Sequence, residues 1–132
     1  VSGNAGLFAN ANSIAPILEM LLQKGSYHGI KFLNPETIEL FTQRAYPDGL
    51  NPRGLIFDKP TLDLEDENRY PSILVSPSTF GHTGYTGTMV WVDPENNCFV
   101  ILLTNRVYPS RNQRGLYKLN IRPQLLDYTL QE

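Results

Sequence analysis

The stretch Phe80-Gly81-His82-Thr83-Gly84-Tyr85-Thr86-Gly87-Thr88-Met89-Val90-Trp91-Val92-Asp93-Pro94-Glu95-Asn96-Asn97-Cys98-Phe99-Val100-Ile101-Leu102-Leu103 decides the fold. Thr88 to Val92 is rich in β-branched and aromatic residues, and strand alternation puts Met89 and Trp91 on one face and Val90 on the other. Asp93 to Asn97 is a cluster of turn-forming residues. Phe99 to Leu103 is a continuous apolar run, the pattern of a central strand covered on both faces. The two runs read as a β-hairpin, and Phe80 to Tyr85 supplies a third strand beside it.

Upstream the period changes. Gly3 and Gly6 make the first eight residues a flexible lead-in. Asn10 or Asn12 caps a helix in which Ile14, Leu18, Leu21 and Leu22 form one apolar stripe; Pro16 is tolerable only in its first turn. Lys24-Gly25 is a stop signal. Asn34 and Pro35 start a second helix, with Glu36 in its first turn and Ile38 and Phe41 as a short apolar face, ending before Pro47. From residue 46 to 79 the chain is a proline-punctuated loop in which only Leu55-Ile56-Phe57 has the composition of an edge strand. Asp63, Glu65, Asp66 and Glu67 form a solvated acidic stretch within it, without the glycine turn and regular oxygen spacing of a calcium loop. Downstream, Ile121, Leu125 and Tyr128 share one face of a C-terminal helix with Pro123 in its first turn.

The expected organisation is therefore helices over residues 11–43, a loop over 46–79, strands over 80–105 and a helix over 120–130. That is an α+β class with an antiparallel meander flanked by helices, not an alternating βαβ chain. The C-terminal helix can cover one face of the sheet; the other needs the N-terminal helices or something beyond this chain.

Composition narrows the function. The chain has 132 residues, 41% hydrophobic and 18% charged, in the range of one globular domain. A formal net charge of −2 gives no general attraction to nucleic acid or to anionic lipid. One cysteine, Cys98, makes neither an internal disulfide nor a thiolate zinc cluster, and His28 and His82 lie far apart, so no metal or cofactor is expected. No apolar run is long enough to span a bilayer. The chain begins at Val1 with no initiator methionine or targeting segment, as expected of a cut or processed piece.

The densest polar cluster is Gly81 to Thr88, where three glycines interleave with hydroxyl residues and His82. Glycines permit a ligand to approach the backbone, whose N–H groups can hold an anion or a developing oxyanion, with the histidine as proton carrier or cationic anchor. The alternative is a glycine-rich strand and tight turn at a sheet edge. His28, between Tyr27 and Gly29, reads as an exposed turn residue, and Cys98 as a small hydrophobe. Arg106, Arg111, Arg114, Lys118 and Arg122 form a basic segment, read chiefly as solvated charge balancing the acidic loop, with a surface facing a carboxylate or phosphate as the alternative. Neither a Gly-x-Ser-x-Gly elbow nor a phosphate or dinucleotide loop is present.

Three stretches in order resemble the C-terminal part of the serine β-lactamase and penicillin-binding-protein-like family, nearest its class C-like and esterase-type members. Ala5-Gly6-Leu7-Phe8-Ala9-Asn10-Ala11-Asn12 is similar to that family's helix entry. Phe80 to Thr88 is similar to its third signature motif, with His82 where lysine is usual. Trp91-Val92-Asp93-Pro94 through Leu102-Leu103-Thr104-Asn105-Arg106 is similar to the hairpin that follows. The family's Ser-x-x-Lys nucleophile motif and its Tyr-x-Asn motif are not in this sequence; Ser2-Gly3-Asn4 and Ser110-Arg111-Asn112 match Ser-x-Asn only by letter.

The resemblance implies a partial β-lactamase/transpeptidase-like domain and acyl-enzyme hydrolysis of an amide or ester such as a β-lactam, muropeptide or ester. It places His82 as the cationic support of the base and Tyr85 as an oxyanion donor through its N–H. Thr83 would offer a hydroxyl to substrate, Gly84 would let the acyl group lie against the strand, and Asn105 and Arg106 would lie at the pocket rim. A chain without the nucleophile should have no turnover of its own. The other readings are a non-catalytic module of the same fold that binds peptidoglycan-like peptides or a protein, and a structural subunit pairing through its sheet edge. The expected partners are the N-terminal part of the same domain, a small acyl substrate and a second copy covering an exposed sheet edge and apolar face. The family's usual place is the bacterial periplasm or cell envelope.

Overall fold

The computed structural model describes residues 5–46, 51–63 and 69–131. Helix α1 spans Ala11–Leu22, followed by a short hairpin of β1 (Ser26–Tyr27) and β2 (Ile30–Lys31), then α2 (Pro35–Thr42). A long irregular segment leads to β3 (Phe80–Thr83), β4 (Met89–Asp93) and β5 (Cys98–Leu102), and then to α3 (Gly115–Lys118) and α4 (Ile121–Leu130). The three later strands form one antiparallel sheet in the order β3-β4-β5. The lead-in residues 1–4, Pro47, Gly49 and the acidic residues Glu65 to Glu67 lie outside the described residues.

The central strand is β4, not the apolar run after the turn. In register, His82 faces Val90 on one side of β4 and Ile101 faces it on the other. Strand β5 is half-buried along its whole length, an edge strand between two helices rather than a fully covered centre. Alternation along β4 splits the core in two. Met89 and Trp91 pack with Leu126 of α4, and Val92 packs with Phe80 and Leu18 of α1. Both faces of the sheet are thus covered, which corrects the expectation of a bare apolar face: α1 supplies the layer that the C-terminal helix cannot.

The helix signals resolve unevenly. Asn10 caps α1, its side chain accepting a hydrogen bond from the Ser13 N–H at 3.0 Å. Pro16 therefore falls in the second turn, beyond the first turn to which it was expected to be confined; its missing N–H leaves the carbonyl of exposed Asn12 without a helical donor. After α1 the chain reverses at Lys24-Gly25, and the Gly25 N–H closes on the Met20 carbonyl at 2.8 Å. His28 and Gly29 both have positive φ, 48° and 77°, and form the two-residue turn of the β1–β2 hairpin. In α4 the buried residue is Leu126, with Leu125 beside it, while Tyr128 is 69% exposed. The face expected to be buried is thus rotated by one residue.

Leu55-Ile56-Phe57 is not a strand. The Gly54 N–H donates to the Phe57 carbonyl at 2.8 Å, so the run closes into a turn between Arg53 and Asp58, which pair through a single bridge and an ion pair. The edge position falls to Asp58, whose N–H and carbonyl both bond to Gly81 at 2.8 and 3.1 Å. Phe57 turns inward against Phe80, with ring centroids 5.0 Å apart.

Two ionic groups are buried, Asp93 at the end of β4 and Lys59 in the loop. Burial pushes the Asp93 carboxyl up, but hydrogen bonds from the Ser76 hydroxyl and amide and from Asn96 outweigh it and hold the carboxyl below its usual range. Lys59 is 4% exposed, and its ammonium donates to the Ser78 carbonyl at 2.7 Å. Burial, aided by Arg44 and opposed by Asp93, pushes it down to about 8. The unfolded chain therefore binds more protons than the folded one between pH 8 and the ordinary lysine value, and folding stability rises with pH as Lys59 discharges. The slope is at most about 1.4 kcal/mol per pH unit. In urea melts at pH 7, 8 and 9, the stability of the wild type should rise relative to Lys59→Met; a constant difference between the two would refute this coupling.

Candidate active site at the end of strand β3

The site is built from the end of β3 and the turn that follows it. Phe80 and His82 point to the α1 side of the sheet, and Gly81 and Thr83 to the α4 side. Gly81 is required by a close approach: a Cβ there would stand 2.3 Å from the Val90 carbonyl oxygen and 2.5 Å from Cδ2 of the Trp91 indole. The bare backbone lets Trp91 lie flat beneath the strand, which seats His82 and Thr83 at its open end.

A cavity of about 310 Å³ opens there. His82, Thr83 and Gly84 form one wall; Leu7, Ile14, Val90 and Leu103 make much of the remainder apolar. His82 is exposed, and its Nδ1 lies 2.9 Å from the Thr83 carbonyl oxygen. Burial pushes the Tyr70 phenol up from its ordinary value. Tyr70 itself is held edge-on to Trp91 with centroids 5.6 Å apart. Because Gly81 spends both outward backbone groups on Asp58, strand alternation directs the next outward pair, those of Thr83, to the open edge.

The turn from Gly84 to Thr88 closes with the Gly84 N–H on the Thr88 carbonyl at 2.8 Å and the Gly87 N–H on the Gly84 carbonyl at 3.0 Å. Gly87 has a φ of 103°, open to glycine, and a Cβ on it would meet Thr104 Oγ1 at 2.2 Å. Among the described residues the Tyr85 N–H donates no hydrogen bond within the fold. The Tyr85 ring is 67% exposed and carries the Arg106 guanidinium 4.8 Å from its centroid. That guanidinium also lies over Tyr117 at 5.1 Å.

The residues singled out from sequence thus divide. His82, Thr83 and Gly84 share the cavity. Tyr85 and Arg106 stack on each other at the turn, outside that cavity, and Asn105 is exposed beyond β5 without lining it. Two residues were missed. Tyr70 lies in the loop and packs edge-on against Trp91, a long-range contact with no local pattern. Arg122 was read as part of a solvated basic segment, yet it donates to the carbonyls of Gly84, Gly87 and Thr88 at 3.0, 3.2 and 3.1 Å. Among the described residues no group of three His, Cys, Asp or Glu side chains is placed to hold a metal ion.

The site thus sits on an antiparallel sheet flanked by helices, at a glycine-bounded His-Thr-Gly edge. A family model described as Beta-lactamase matches residues 2–121, and the chain belongs to that family. Curated relatives from Escherichia coli (strain K12) and Salmonella agona (strain SL483) are each 35% identical over 111 residues, covering 80% of this chain and 24% of the relative. A third, from Salmonella paratyphi B, is 34% identical over the same length. All three carry the description "Putative D-alanyl-D-alanine carboxypeptidase". The chain therefore spans about a quarter of the length of these relatives.

Gly81→Ala tests the packing that seats the site. The added methyl meets backbone and a fixed indole, so overpacking should cost about 1–3 kcal/mol. A urea denaturation midpoint equal to that of the wild type would show that the approach is not tight.

Proposed function

We propose that this chain is the C-terminal part of a serine hydrolase that opens an amide or ester through an acyl-enzyme. One observation supports this reading above the rest: the open strand edge at His82-Thr83-Gly84 runs into a turn whose Tyr85 N–H is uncommitted within the described fold. A serine from the preceding part of the domain would attack the substrate carbonyl. The Tyr85 N–H would be one of two donors to the resulting oxyanion, the second coming from the nucleophilic serine's own amide. His82 would act at the base, and the Thr83 hydroxyl and the outward backbone groups of Thr83 would align the substrate. The glycine at 84 would leave room for the acyl group, and Asn105 and Arg106 would face the substrate from the rim. By analogy with the described relatives, a peptidoglycan-type peptide in the bacterial envelope is the favoured substrate class; β-lactams and simple esters fit the same chemistry.

Without a Ser-x-x-Lys motif the 132-residue chain should turn over neither nitrocefin nor p-nitrophenyl esters. Joined to a Ser-x-x-Lys segment it should turn over at least one of them, and His82→Ala should lower that rate about a hundredfold or more. Specific turnover by the isolated chain overturns the first expectation. Peptide binding by the joined protein with no turnover would instead favour a non-catalytic binding module.

The partner we propose is the N-terminal part of the same domain. Among the described residues strand β5 has a hydrogen-bonded neighbour on one side only, and Leu103 just beyond it is 41% exposed. In isolation a second copy takes that place, so sedimentation should show a concentration-dependent dimer that disappears when the N-terminal part is joined. A clean monomer at high concentration argues against it.

A further inference from the structure

We infer that Arg122 is a positioning residue that presents the Tyr85 N–H by fixing the carbonyls around it; the inference rests on the reading of that N–H as an oxyanion donor. A five-residue turn has five carbonyls that compete to set its shape. Arg122, in the first turn of α4, takes three of them, those of Gly84, Gly87 and Thr88, with Nε and Nη2. The Thr86 carbonyl is taken from the other side by the Thr104 hydroxyl at 3.1 Å and the Arg106 N–H at 2.9 Å. The Gly84 and Gly87 N–H groups are used inside the turn, at 2.8 and 3.0 Å. The turn is therefore clamped between the end of β5 and the start of α4, and the N–H at Tyr85 is left without an acceptor among the described residues.

The planar fork of arginine is what permits this. Its N–H groups lie at fixed angles and reach separate carbonyls at once, whereas a lysine ammonium is a single point on a flexible stem. Tyr117 supports the guanidinium, whose Cζ lies 5.7 Å from its ring centroid. Arg114 lies over the same ring at 5.9 Å but holds no carbonyl of the turn, which makes it the natural control.

The test has two arms. In the first, amide hydrogen exchange is read on the 132-residue chain for wild type, Arg122→Lys, Arg122→Gln and Arg114→Ala. Arg122→Lys and Arg122→Gln should speed exchange at Gly84 and Gly87 about tenfold or more while the β4–β5 amides stay protected, and Arg114→Ala should change neither. Unchanged exchange in the turn overturns the inference, and so does a loss spread evenly over the whole sheet, which marks a merely structural role. In the second arm, the protein joined to its Ser-x-x-Lys segment is assayed for kcat and KM. Arg122→Lys should lower kcat about ten- to a hundredfold with KM within about twofold, the signature of a misplaced transition-state donor. A fall in kcat no larger than that of Arg114→Ala overturns it. If the wild-type joined protein has no turnover, the functional reading fails, and the exchange arm still decides whether Arg122 sets the turn.

Discussion

Strand β4 carries two cores at once. Met89 and Trp91 face α4, Val90 and Val92 face α1, and Asp93 ends the strand by receiving bonds from Ser76 and Asn96. A shift of one residue in its register would exchange the two faces and drive Trp91 into α1, so the register is fixed by burial on both sides. Gly81 is the other half of that constraint. Only a residue without Cβ admits the indole at 2.5 Å from where a methyl would stand, and this aligns β3 against β4 rung by rung. The cavity-lining end of β3 inherits its position from that alignment.

From this anchor the site follows with little further investment of structure. The last rung places His82 opposite Val90 and Thr83 opposite Met89, and the chain then turns back within five residues. Asp58 seals the strand edge at Gly81, so the open part begins at Thr83. What the fold adds beyond the strand is restraint from remote elements: Tyr70 on Trp91 beneath the strand, Arg106 on Tyr85 and Arg122 on the turn carbonyls. The first two hold side chains, and the third holds backbone.

The parts of the fold legible in the sequence were those written in local pattern. Alternation along Thr88 to Val92, the Asp93 to Asn97 turn, the stripe of α1 and the Asn34-Pro35 start of α2 all appear where composition placed them. What failed depended on partners far along the chain. The apolar composition of Phe99 to Leu103 did not reveal that β3 would lie on the far side of β4 and leave β5 at the edge. Leu55 to Phe57 has strand-like residues, but the bond from Gly54 to Phe57 curls it into a turn. The site divides the same way. His82, Thr83 and Gly84 were readable as a motif, whereas Arg122 looked like one charge among five because its acceptors are backbone carbonyls, which no side-chain pattern encodes.

The Arg122 clamp also has a meaning in time. Its three acceptors precede it by 34 to 38 residues, and the whole of β4, β5 and α3 lies between. Closing contacts across such separations costs more chain entropy than pairing adjacent strands, so the β4–β5 hairpin is cheaper to form than the clamp. The turn is therefore among the last parts of this segment to be fixed, and it is fixed together with the α4 layer of the core, because Arg122 and Leu126 lie on the same helix.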